Sequence, residues 1–252
     1  MHRKQPRLRT LENYALFLDI DGTLADIAPE PSLAFVAPST VSDLKALSIS
    51  LNGALALVSG RQLAEIDKLV GLAGIPAAGI HGAQLRTQAG TRLAQDQLPE
   101  VFVQIETEVR NLLRGLEGIT VERKPLAVAV HFRANPKFES HIQEIASSVV
   151  SKRNGLKLIK GKCIAEILPD SVNKGNAIAE LMQSPPFRGR VPVFAGDDVT
   201  DEDGFTSVNS MKGVSIKIGN GPSNAVYGFK TAEKFRAWLS QLLCGGAGGT
   251  QF

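Results

Sequence analysis

The residues with the greatest chemical reach in this chain are acids that close apolar runs. ALFLDIDGT places Asp19 and Asp21 directly after four core-forming residues, with Gly22 and Thr23 behind them. In an extended strand, residues two apart project to the same side, so these two carboxylates repel each other unless a cation lies between them. LALVSGR ends in Ser59 and Arg61, and VFAGDDVTDED ends in Asp197, Asp198 and Asp201. Lys174 opens the stretch NKGNAIAELM, where an ammonium meets the positive end of a helix unless acids or an anion compensate it.

Several carboxylates, one lysine and one hydroxyl suit phosphoryl transfer assisted by a hard divalent cation. Magnesium takes oxygen ligands, usually one or two carboxylates with waters and a phosphate oxygen. Asp19, Asp197 and the main-chain carbonyl of Asp21 are the expected ligands. One carboxylate is then free to attack phosphorus, and its neighbour to give a proton to the departing oxygen and later take one from water. Asp19 is read as the nucleophile and Asp21 as the acid and base. Ser59 hydrogen-bonds a phosphoryl oxygen, and Lys174 neutralises charge on the nucleophile and the transferring group. Singly, a DxD pair, an SGR or a helix lysine is an ordinary surface feature. Their joint weight comes from each ending a strand or opening a helix on what should be one sheet edge.

The elements that must hold these residues read as a parallel α/β core. ALFLDI, GALALVS and IPAAGI are short apolar strands, separated by the helical stretches TVSDLKALS and RQLAEIDKLV, which is the pattern of a parallel sheet with crossovers. In such sheets the ligand crevice lies beyond the carboxyl ends of the strands. From Gln84 the texture changes. QLRTQAGTRLA reads as a hairpin about Ala89 and Gly90, PEVFVQIETEVRNLLRGL as a helix, and TVERKPLAVAVHFR as two strands interrupted at Pro125. FESHIQEIASSVVSKR is a further helix, and LKLIKGKCIAEILP a strand pair turning at Gly161 and Lys162. After Pro169 the alternation resumes with NKGNAIAELM, VPVFAGDD, TDEDGFTSVN, GVSIKIG and TAEKFRAWLSQLL. The expected plan is a Rossmann-like core from residues 1–84 and 170–252, with an α+β insert of about 85 residues, 85–169, an ordinary domain size.

Composition sets the outer bounds. With 252 residues, 43% hydrophobic and 21% charged, the chain can bury a substantial core. The formal charge of +3 does not mark a nucleic-acid binder. The basic opening MHRKQPRLRT reads as a solvated tail and lacks the apolar region of a signal peptide, and CGGAGGTQF reads as a flexible end. Cys163 and Cys244 stand far apart and outside any CxxC spacing, so neither a disulfide framework nor a zinc site is expected, and a reducing, cytoplasmic setting fits. The expectation is a monomer with a small-molecule substrate and no nucleic-acid or membrane partner.

DIDGTL, SGR, NKG and GDDVTDEDGF, in that order, resemble the four motifs of the haloacid dehalogenase superfamily of magnesium-dependent phosphotransferases. The resemblance implies an Asp nucleophile at the first motif position, a Rossmann-like core and an inserted cap that selects the substrate. Asp19, Asp21, Ser59, Lys174, Asp197 and Asp198 sit at its motif positions, which adds Asp198 and the Asp21 position to the metal site and makes Asp201 a supporting acid. VERKPLAVAVHFR, GKCIAEILP, GIHG and RGRVPVFAGDDVTDEDGFTSVN are similar to the trehalose-6-phosphate phosphatase family. That likeness implies hydrolysis of trehalose 6-phosphate with Mg2+, the last step of trehalose biosynthesis. It also implies substrate contacts from Gly22, Thr23, Arg61, His81, Gly82, Glu122, Lys124, His131, Arg133, Lys162 and Glu166, with His81 and Gly82 also marking a hinge. Sugar recognition calls for such groups, because each buried hydroxyl needs a partner. Alternation in AVAVHFR separates Val128, Val130 and Phe132, fit to pack under helices, from Ala127, Ala129, His131 and Arg133, fit for a sugar-facing floor. Gln84 stands where the family has an acid, and IGNGPSNAVYGF lacks an expected basic residue.

Other readings of the same core are a sucrose-phosphate or mannosylglycerate-phosphate phosphatase, a phosphomannomutase, which returns the phosphate to another hydroxyl, and a non-catalytic sugar-phosphate sensor.

Overall fold

The computed structural model describes residues 3–87, 89–93 and 99–245. The chain divides into two compact units, Met1–Arg92 with Lys174–Phe252, and Leu93–Asn173. The sequence places the boundaries at 84/85 and 169/170. The difference at the first boundary has a backbone cause: Gln84–Thr87 pairs antiparallel with Ala77–Gly79, so the hairpin extends the large sheet rather than opening the insert.

The large unit contains β1 (Tyr14–Leu18), α1 (Pro38–Ser50), β2 (Leu55–Val58), α2 (Leu63–Val70), β3 (Ala77–Gly79), β4 (Gln84–Thr87) and β5 (Gly90–Leu93). After the second unit it continues with α5 (Lys174–Leu181), β10 (Val191–Gly196), α6 (Asp201–Ser210), β11 (Val214–Ile218), β12 (Tyr227–Phe229) and α7 (Ala232–Gly245). The eight strands order as β12-β11-β10-β1-β2-β3-β4-β5, parallel from β12 through β3. The chain builds outward from β1 in one direction through β2 and β3, and later in the other through β10, β11 and β12. β1 and β10 therefore flank the topological switch point, where open α/β sheets bind their ligands.

Strands covered on both faces must be apolar throughout, and Leu55–Val58 is buried at every residue. Local signals fix the helices. Pro38 occupies the first turn of α1, where its missing N–H costs nothing, and Gly71 ends α2 in the left-handed conformation at φ 68°. Stacked Phe17 and Phe187, 5.2 Å between centroids, and Phe194 against Phe205, 5.3 Å, fill the space between sheet and helices.

The second unit comprises α3 (Pro99–Leu112), β6 (Thr120–Lys124), β7 (Ala127–His131), α4 (Glu139–Ser151), β8 (Leu156–Gly161) and β9 (Ile164–Pro169). Its antiparallel sheet runs β6-β7-β9-β8. Both helices cover one face, burying Val121, Val128, Val130 and Ile167 against Phe102, Ile105, Val109, Ile142 and Val149. Glu108 on α3 accepts hydrogen bonds from Lys152 at 2.9 Å and Arg153 at 2.8 Å, tying the end of α4 to α3.

Two further features differ from the sequence reading. β12 carries no strand-length signal and is set by its pairing with β11. The opening segment is not a free tail from residue 3 onward: Arg3 donates to the carbonyls of Gly221, Ser223 and Ala225 at 3.2, 3.1 and 2.9 Å, and Gly228 N–H donates to Lys4 O. A guanidinium thus reaches the 219–226 loop from the other end of the chain. The glycine-rich end from 246 lies outside the described residues. No helix among the described residues is long and apolar enough to cross a membrane.

Candidate active site

The carboxyl ends of β1 and β10 bring one lysine and three acids together. Lys174 Nζ donates to Asp19 Oδ1 at 2.7 Å and to Asp201 Oδ1 at 2.6 Å, and all three side chains are buried. Asp19 follows β1, and its N–H donates to Ala195 O on β10, which fixes the two strand ends side by side. Asp201 opens α6, and its second oxygen accepts the Asp198 N–H at 2.8 Å. Lys174 can reach Asp201 because α5 and α6 approach closely at Gly175, where a Cβ would fall 2.5 Å from Asp203 O. Ser207 Oγ donates to Gly175 O at 3.0 Å across the same contact. The compensation demanded of a lysine at a helix start is therefore supplied by two carboxylates.

One oxygen from each of Asp19, Asp197 and Asp201 lies within 4.8 Å of the others. Gly22, at φ 85°, leaves the room for this: a Cβ there would fall 2.3 Å from Asp197 Cγ. Three carboxylates against one buried ammonium leave net negative charge, and the donors are hard oxygens, so the cluster fits a divalent cation of the magnesium type. Burial pushes the Asp19 carboxyl well above its ordinary range, opposed by Lys174 and reinforced by Asp201 and Asp197. Desolvation disfavours the Lys174 ammonium, yet the two carboxylates outweigh it and hold the lysine protonated. A cation among these acids favours the ionised Asp19 that attack on phosphorus requires.

Asp21 is placed differently. Arg61 grips its carboxylate with two hydrogen bonds, Nε to Oδ2 and Nη2 to Oδ1, each 2.7 Å, and Nη2 also donates to Pro31 O at 3.0 Å. Such a bidentate pair fixes orientation. Ser59 is buried, and its hydroxyl accepts the Arg61 N–H at 3.1 Å. Thr23 is fully buried, and its hydroxyl has no hydrogen-bond partner among the described residues. Asp198 contributes its main chain to Asp201, while its carboxylate stands outside the cluster of three. Asp201 is the third acid of that cluster.

His81 and Gly82 lie in a turn of left-handed residues, with φ 48°, 56° and 112° at positions 80–82. His81 is buried and its N–H donates to Ser59 O, so the turn is anchored to the strand end that carries Ser59. Gln84 Oε1 accepts the Leu63 N–H at 2.9 Å at the start of α2. That acceptor role is one an acid would also fill.

In the second unit, cross-strand register puts Glu122, Lys124, His131 and Glu166 on the face away from the helices: Glu122 pairs with Ala129, and Ala129 with Glu166. Lys124 Nζ donates to Glu166 Oε1 at 2.8 Å, both side chains being nearly inaccessible. His131 Nε2 and Glu122 Oε2 are 2.8 Å apart, and this hydrogen bond holds the Glu122 carboxyl below its ordinary range. Arg133, just past β7, is half-buried, and Lys162 is exposed in the β8–β9 turn.

Lys217 on β11 was not singled out from the sequence. It is buried and donates to the main-chain carbonyl of Asp197 at 2.5 Å. A lone lysine inside the apolar strand VSIKI was the available signal, since a strand buried on both faces tolerates a charge only with a partner.

Comparison with known proteins places the chain among phosphatases of one sugar phosphate. The family model described as trehalose-phosphatase matches residues 17–234. A trehalose-6-phosphate phosphatase of Escherichia coli K12 is 38% identical over 231 residues, covering 91% of this chain and 86% of the relative. A probable trehalose-phosphate phosphatase of Sinorhizobium fredii is 39% identical over 235 residues, covering 92% and 88%. Among solved structures, a trehalose-6-phosphate phosphatase related protein superposes with a TM-score of 0.74 at 28% identity, covering 92% of this chain and 97% of its own.

Proposed function

The chain belongs to the trehalose-phosphatase family, and from that premise we propose that it hydrolyses trehalose 6-phosphate to trehalose and inorganic phosphate through an aspartyl-phosphate on Asp19. The observation that carries the reading is the meeting of Lys174 with Asp19 and Asp201 at 2.7 and 2.6 Å, beside Asp197, at the sheet's switch point.

In the first step an Asp19 oxygen attacks phosphorus, the bond from phosphorus to the sugar oxygen breaks, and Asp21 gives its proton to that oxygen. In the second, Asp21 takes a proton from water as it attacks the aspartyl phosphate, restoring Asp19 and releasing phosphate. Lys174 neutralises charge on Asp19 and the transferring group, and Ser59 and Thr23 supply hydroxyls to phosphoryl oxygens. Arg61 orients Asp21 for both proton transfers. Asp19, Asp197 and Asp201 would hold Mg2+, which when bound would supply positive charge against the phosphoryl group.

Glu122, Lys124, His131 and Glu166, with Arg133 and Lys162 at their margin, read the sugar through hydrogen bonds to hydroxyls. His81 and Gly82 form the turn that joins β3 to β4 within the large sheet, not the passage into the second unit. The setting we assign is cytoplasmic and the protein a monomer, in keeping with a small polar substrate.

A phosphate-release screen over trehalose, sucrose, mannosylglycerate and mannose phosphates, with Mg2+ present, tests the whole reading. Preference for trehalose 6-phosphate is expected. Preference for another sugar phosphate would move the assignment to one of the sister phosphatases, and conversion of substrate without free phosphate would make the chain a mutase. No turnover of any of them would leave a sensor.

A further inference from the structure

We propose that Lys217 is a positioning residue for the metal site: its ammonium fixes the Asp197 peptide and thereby aims the Asp197 carboxylate at Asp19 and Asp201. The inference rests on the reading of the acid cluster as a magnesium site.

Lys217 is 6% exposed, and among the described residues its hydrogen-bond partner is the main-chain carbonyl of Asp197, at 2.5 Å. An ammonium buried this deeply needs a reason, because removing a charge from water is costly unless it is bonded. The sheet supplies the placement. Lys217 pairs with Gly196 on β10 and with Gly228 on β12, so both neighbours in its row lack side chains. Residues paired across a sheet project to the same face. On that face the space beside Gly196 is taken by Asp201, whose Cγ would lie 2.3 Å from a Cβ at position 196. Above Gly228 lies the aliphatic stem of Arg3, whose Cβ would be 3.2 Å from a Cβ there. The lysine stem thus runs between Asp201 and Arg3 to the first peptide beyond β10.

Two effects oppose each other. A second cation near the cluster repels a bound metal, whereas a clamp on the Asp197 peptide holds a ligand in place. The contact is made with the peptide carbonyl, which is the contact positioning requires. Groups that orient metal ligands from behind typically change metal affinity by about 10- to 100-fold when removed. The sign of the change separates the two effects.

Calorimetric titration of Mg2+ into the full-length wild type, Lys217→Met and Lys217→Arg is the test, with circular dichroism as the fold control. Lys217→Met is expected to bind Mg2+ about 10- to 100-fold more weakly. At saturating Mg2+ its KM for the sugar phosphate is expected to match wild type, and Lys217→Arg, which keeps a charged donor, is expected to recover most of the loss. Unchanged or tighter Mg2+ binding by folded Lys217→Met overturns the proposal, tighter binding pointing to simple repulsion. Should that variant not fold, Lys217→Gln replaces it: weaker Mg2+ binding supports the clamp, unchanged or tighter binding overturns it. Wild-type Mg2+ binding without phosphate release from any sugar phosphate would sink the functional reading and leave the clamp standing.

Discussion

The two polar clusters of this protein are built on opposite charge logic. At the ends of β1 and β10, three carboxylates crowd around one lysine, and burial drives Asp19 away from ionisation. On the second unit's sheet face away from its helices, polar groups bond one another, Lys124 to Glu166 and His131 to Glu122. The first leaves acidic charge that a divalent cation would offset. The second is closed by its own donors and acceptors, the groups that neutral hydroxyls need. On the proposed function, chemistry and selectivity fall in different units and can be broken separately.

The largest effect is expected from Asp19→Asn, which should lower phosphate release by about 10^4-fold or more, by analogy with loss of other covalent nucleophiles. Because burial and the neighbouring acids raise the Asp19 pKa, the folded metal-free protein binds that proton more tightly than the unfolded chain. Its contribution to stability therefore declines as pH rises through the folded pKa. Asp19→Asn should melt no lower than wild type at neutral pH in chelator. Clear destabilisation would mean the cluster is not strained by its own charge.

Next in size is the metal. Excess chelator should silence turnover, and Mg2+ at about 100 times its Kd should stabilise the fold by about 2.7 kcal/mol, seen as a raised Tm. A Tm indifferent to Mg2+ would remove the contrast between an open and a closed charge set.

Glu166→Ala should lower kcat/KM for trehalose 6-phosphate far more than for a small aryl phosphate. It should also destabilise the fold by about 1.5–3 kcal/mol, since buried Lys124 loses the carboxylate that accepts its hydrogen bond. The pair Lys124→Met with Glu166→Leu should regain most of that stability without regaining sugar selectivity. Equal losses on both substrates would deny the second unit its reading role.

The smallest effect is at Glu122. Its carboxyl is held below the usual range by His131, so the stabilisation is present above the unfolded-state pKa and fades as pH falls through the folded one. Glu122→Gln should cost under about 1 kcal/mol at neutral pH for this part-exposed pair, and the difference should vanish in acid. A denaturation series from neutral pH into that acid range measures it.

How much of this the sequence announced differs between the two clusters. Asp19, Lys174 and Asp197 were legible because each ends a strand or starts a helix, positions that parallel topology gathers at one edge. The Arg61 grip on Asp21 was not, since which donor takes a free carboxylate depends on loop geometry. Asp201 was named only as a supporting acid: its place beside Asp19 depends on how closely α5 approaches α6, which a glycine in NKGNA does not reveal. In the second unit, alternation in AVAVHFR separated the two faces, yet it could not show that Lys124 would pair with Glu166. The Gln84–Thr87 strand was read, but its attachment to β3 is long-range pairing with no local signature.

The strand order carries a consequence for biosynthesis. β1 lies mid-sheet, yet its partner on one side begins only at Val191. A nascent chain that has not emerged past that point holds an apolar strand with a bare hydrogen-bonding flank, the kind of edge that recruits stray strands. Translation arrested within the second unit should therefore yield aggregation-prone fragments, and Asp19 can meet Lys174 only once the whole second unit has left the ribosome.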